Sequence, residues 1–83
     1  MNDNDNLVYD CHFYSHDLQK YSEVKMNFLP RVGDVIQNSG YISKVDLIEY
    51  GFGLQSYNIY TTKLGETSNY EKIISSILEA HRT

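Results

Sequence analysis

A chain of 83 residues with one cysteine and three histidines cannot close an internal disulfide, and it has few groups for a structural zinc site. A domain this short buries a smaller share of its surface than a larger one, so a second copy or another partner is the expected further source of stability. Seven Lys and Arg against eleven Asp and Glu leave a net charge of -4, which repels a phosphate backbone and disfavours duplex DNA as a ligand.

Hydrophobic residues at 41% and charged residues at 22% are ordinary for a folded domain. The start, MNDNDN, is polar and acidic where a secretory signal needs a basic end and an apolar run, and no stretch of about 18 apolar residues occurs. No membrane association is expected, and the cytoplasm is the expected location.

Residues 1–6 are Met, Asn and Asp alone and predict a flexible tail ahead of a single β-rich domain over 7–83. LVYDCHFYS alternates, with Leu7, Tyr9, Cys11 and Phe13 on one face and Val8, Asp10, His12 and Tyr14 on the other. After the turn-forming SHDLQK, YSEVKMNFL alternates again, with Val24, Met26 and Phe28 facing in and Glu23, Lys25 and Asn27 out. The pair reads as a hairpin. Pro30 fixes φ and lacks a donor, so it ends the second strand; Gly33 permits a positive-φ turn and Asp34 offers an acceptor to turn amides.

A short strand over Asp34–Gln37 precedes YISKVDLIEY, the longest strand. There Ile42, Val45, Leu47 and Ile48 occupy both faces, as in a strand covered on two sides. Beyond GFG, LQSYNIYTTKL sets Tyr57, Ile59 and Thr61 against Ser56, Asn58 and Tyr60. SNYEKIISSILEAHR then changes to helical spacing, with Tyr70, Ile73, Ile74, Ile77 and Leu78 on one side. Ser68 and Glu71 have the spacing of a capping box, so a helix over about 68–81 is predicted. Short turns between consecutive strands favour antiparallel neighbours. The predicted fold is α+β, a small antiparallel β-meander or SH3-like barrel of about five strands with a C-terminal α-helix.

The residues carry little chemistry. His12 and His16 share a strand face but lie about 13 Å apart at 3.3 Å per residue, too far for one zinc unless the chain turns between them. Cys11 beside Phe13 reads as a small core residue, Asp46 and Glu49 as single polar positions in an alternating strand, and GFG is too short for a phosphate loop. No catalytic residue, metal or cofactor is expected, and the chain reads as no enzyme.

Tyrosine is the compositional excess, eight in all, with Tyr41, Tyr50, Phe52, Tyr57 and Tyr60 close together. Its large apolar ring and polar tip suit both strands and interfaces. The same rings could stack on unpaired bases or a small nucleotide, with Arg31, Lys44 and Lys63 meeting phosphate.

FLPRVGDVI, then a short loop and YISKVDLIEY, resembles small uncharacterised bacterial and bacteriophage β-rich proteins that repeat Leu-Pro-x-Val-Gly-Asp between strands; Leu29, Pro30, Val32, Gly33 and Asp34 match. The resemblance implies a small sheet or SH3-like barrel and a phage origin, and it carries over no catalytic residue. The expected function is a small non-enzymatic binding protein, a homodimer that acts as a phage-encoded inhibitor of a host or defence protein through an acidic, tyrosine-rich surface. Arg31, Tyr41, Tyr50, Phe52, Tyr57 and Tyr60 are its candidate binding residues. Two alternatives are a small-nucleotide or single-strand binder on an SH3-like module and a structural or virion accessory protein.

Overall fold

The computed structural model describes residues 8–37, 40–51 and 56–81. Five strands, β1 (Tyr9–Tyr14), β2 (Lys20–Met26), β3 (Val35–Gln37), β4 (Tyr41–Gly51) and β5 (Ser56–Glu66), are followed by the helix α1 (Tyr70–His81). They form a small α+β fold with a curled, barrel-like sheet. The tail predicted over residues 1–6 lies outside the described residues.

The strand order is β2-β1-β5-β4-β3. The hairpin β1–β2 and the ladders β3–β4 and β4–β5 are antiparallel, as short connections favour. The departure from a meander is that β1 lies parallel to β5, Cys11 opposite Tyr57 and Phe13 opposite Ile59. Parallel pairing needs a long crossover, and the whole stretch from β2 to β4 supplies it.

The sheet coils about its inner face. Tyr21 on β2 and Tyr41 on β4 are three strand positions apart, which in a flat sheet means about 14 Å. Their ring centroids are 5.4 Å apart. Tyr21 reaches the interior because a bulge between Phe13 and Tyr14 shifts the register, and its hydroxyl meets Thr61 Oγ1 at 2.8 Å. Cys11, Phe13, Val45, Tyr57 and Ile59 form the buried cluster, with Tyr9, Tyr21, Met26, Leu29, Ile36 and Ile48 packed around it. The faces expected for β1 and β5 are therefore correct over the described residues, Leu7 lying outside them. Of the three residues expected to face in from the second strand only Met26 does: Val24 is exposed, and Phe28 lies beyond the strand end with 60% of its surface open. An edge strand at the rim of a curled sheet has no layer opposite to bury such residues.

The β2–β3 connection is organised by the turn Arg31–Asp34. Arg31 C=O accepts from Asp34 N–H at 3.0 Å, Arg31 N–H donates to Asp34 Oδ2 at 2.8 Å, and Gly33 takes φ 97°. Gly33 N–H and Asp34 C=O then bond to Val45, which fastens the turn to β4, while Pro30 is buried.

The helix begins later than the capping box predicts. Ser68 lies inside a single 3-10 turn, Thr67–Asn69, into which β5 runs directly. Gly65 is where α1 approaches the sheet: a Cβ there would stand 2.6 Å from Ile73 Cδ1. No residue of α1 is buried, so the apolar stripe rests on β5 without being covered. No helix among the described residues is long and apolar enough to cross a membrane.

Cys11 has no exposed surface, and burial first and Asp10 second push its thiol pKa up. The thiolate is the reactive species. In native protein at pH 8, Cys11 is expected to resist an aromatic disulfide reagent for hours and to react within minutes in denaturant, read by absorbance; rapid native labelling would show that β1 is not closed in the core.

Candidate functional site

The six candidate binding residues do not form one patch. Tyr57 is buried, edge-on to Tyr9 at 5.5 Å and 5.0 Å from the exposed Tyr50. Tyr41 faces the interior, between Tyr21 and the Lys63 ammonium, which lies 5.2 Å from its ring centre. Arg31 is exposed at its turn, and Phe52 lies outside the described residues. Of the six, Tyr60 belongs to the outer face.

That face is a grid set by register. His12 stands between Glu23 and Asn58, with Glu49 beyond; Tyr14 stands between Lys20 and Tyr60, with Leu47 beyond. Tyr14 and Tyr60 stack at 5.2 Å between centroids and 24° between planes. Glu49 Oε1 accepts from Asn58 Nδ2 at 3.0 Å and from the Tyr60 hydroxyl at 2.7 Å. Thr62 donates to Asp46, the extra residue of the bulge between Val45 and Leu47.

Above this face hangs the β1–β2 loop. Ser15 N–H bonds to Gln19 C=O at 2.9 Å and Leu18 N–H to Ser15 C=O at 2.9 Å, with Ser15 Oγ also donating to Asp17. Leu18 sits at φ 68°, a left-handed conformation that leucine rarely adopts and that costs about 1–2 kcal/mol. It is also 68% exposed. Leu18, His16, Leu47 and Tyr60 line a hollow of about 520 Å³ whose rim carries Asp46 and Glu49. Leu47 is 57% exposed there. Among the described residues, no lysine or arginine lines the hollow.

The chain matches no family model, no curated protein and no solved structure.

Chemically the hollow offers an apolar floor, the ring of Tyr60 backed by its stacking on Tyr14, and carboxylates already hydrogen-bonded in place. Bonds from Asn58 and then Tyr60 hold the Glu49 pKa below its usual value, and the same bond raises that of Tyr60. A depressed folded-state pKa stabilises the fold above the unfolded value and loses that contribution as pH falls through the folded one. The stability difference between wild type and Glu49→Gln, from thermal unfolding across pH, is expected to be constant at neutral pH and to shrink below the ordinary glutamate range. A difference independent of pH down to 2 would show that Glu49 gains nothing from these bonds.

Sequence alternation places Tyr60 and Asn58 on the polar face but is silent on Tyr14 as a neighbour of Tyr60, because that pairing is parallel and nonlocal. Leu18 carries no signal in the sequence beyond being an apolar residue in a turn.

Proposed function

We propose that this chain is a small non-enzymatic protein-binding module whose docking site is the hollow between the β1–β2 loop and the outer face of β4 and β5. The observation that carries this reading is Leu18, an apolar side chain held out to solvent in an unfavourable backbone conformation directly beside exposed Leu47. Neither feature helps the fold, and both suit a partner that covers them. The stacked Tyr14 and Tyr60 add rigid contact area, and Asp46 and Glu49 at the rim match a partner with basic residues around an apolar knob.

Within this reading the module acts in the cytoplasm as an inhibitor, and the Leu-Pro-x-Val-Gly-Asp turn and small acidic chain suit a phage-encoded inhibitor of a host or defence protein. Self-association remains part of the proposal on size alone. The nucleotide alternative has less behind it, since two carboxylates and, among the described residues, no lysine or arginine line the hollow.

The test separates binding from folding. Leu18→Asn tolerates the left-handed conformation better, so it is expected to keep or raise the unfolding midpoint while weakening partner capture at least tenfold, measured by quantitative pull-down against wild type. Leu47→Ala is expected to weaken capture similarly, and Arg31→Ala to leave it unchanged. Full capture by both leucine variants would refute the assignment of the site.

A further inference from the structure

On the outer face that also carries the hollow, beside it across Asn58, we propose a binding site for a borderline divalent metal ion of the zinc class at Asp10, His12 and Glu23. Asp10 and His12 are two apart on β1 and so share its outer face, and Glu23 is directly opposite His12 on β2. The imidazole lies between the carboxylates, Nε2 3.4 Å from Asp10 Oδ2 and Nδ1 3.7 Å from Glu23 Oε1. One donor atom from each residue falls within 4.8 Å of the others. A tetrahedral site with bonds of about 2.0–2.1 Å needs donors about 3.3 Å apart; because the two carboxylates flank different ring nitrogens, a bound ion would take one nitrogen and draw the farther carboxylate to it.

Two further observations point to a cation here. Asp10 Oδ1 has no hydrogen-bond partner, on a side chain that is 30% exposed and whose other oxygen faces His12, so this carboxylate has acceptor capacity to spare. Lys20 Nζ lies 2.9 Å from Glu23 Oε1 and 3.4 Å from His12 Nδ1, so an ammonium already touches two of the three donor groups. Lys20 is thus a built-in competitor that a metal displaces. One nitrogen and two carboxylate donors suit zinc rather than magnesium or calcium, which take six or more oxygens.

Isothermal titration of the whole chain with zinc chloride tests this, with folding of each variant verified by circular dichroism. One equivalent is expected to bind, His12→Ala to weaken it at least tenfold, and His16→Ala and His81→Ala to leave it unchanged. Lys20→Gln, which keeps all three donors, is expected to tighten binding severalfold. Magnesium chloride is expected to give no heat. Absence of zinc binding by wild type and Lys20→Gln alike, or binding that survives His12→Ala at full affinity, would overturn the site.

Discussion

Replacing Ile59 with alanine is expected to remove a large share of the stability of this domain. Ile59 lies in β5, the central strand, fully buried, with Phe13 opposite it on β1 and Ile48 on β4. Nothing on three sides of it is free to collapse, so the substitution combines lost burial with an unfilled cavity, about 2–5 kcal/mol. A domain of this length holds on the order of 4–12 kcal/mol in total. The urea midpoint should fall accordingly, and the melting temperature by at least about 10 °C. Leu78→Ala is the matched control: that side chain is 59% exposed on α1, and its loss is expected to change stability by less than about 0.5 kcal/mol. If the two variants melted together, the core would not be centred on β5.

Thr61→Val is expected to produce the second largest loss, for a different reason. The valine keeps the volume of a side chain that is 1% exposed and deletes only its hydroxyl. That hydroxyl donates to Tyr14 C=O at 3.0 Å and is met by Tyr21 Oη at 2.8 Å. Both partners are part-buried, so removing the hydroxyl strands them at about 1–3 kcal/mol. Tyr21→Phe removes one of the two bonds and is expected to destabilise less. In the double variant the Tyr21 hydroxyl no longer needs a partner, so the combined loss should be smaller than the sum. Strict additivity in denaturant titrations would mean that β2 is not tied to β5 across β1, and that the sheet is flatter than described.

These two residues also show where sequence reading succeeds and where it stops. Ile59 and Thr61 belong to a strictly alternating run, and alternation reports burial directly when both sides of a strand are ordinary ladder. The helical period of Tyr70 to Leu78 and the corner at Pro30, Gly33 and Asp34 are equally local signals, and each element is present. Tyr21 escapes the pattern because a bulge turns it to the inside, and Asp46 sits at a second bulge that moves Leu47 to the outer face beside Tyr60. One inserted residue flips every face assignment beyond it. The parallel pairing of β1 and β5 is a choice of neighbour, which periodicity within a strand does not encode. The candidate site inherits both blind spots: Tyr60 is legible as a polar-face residue, whereas Tyr14, Leu47 and Leu18 join it only through nonlocal pairing, a bulge and one left-handed backbone angle.

Site-specific photo-crosslinking in the native cellular background tests the docking site most directly. With a photoreactive phenylalanine at position 47, on the floor of the hollow, a single higher-mass adduct is expected on irradiation, and Leu18→Asn in the same chain should diminish it. With the same probe at position 78, on the exposed stripe of α1, no such adduct is expected. An adduct from position 78 and none from position 47 would contradict the docking site and move the binding surface to the helix.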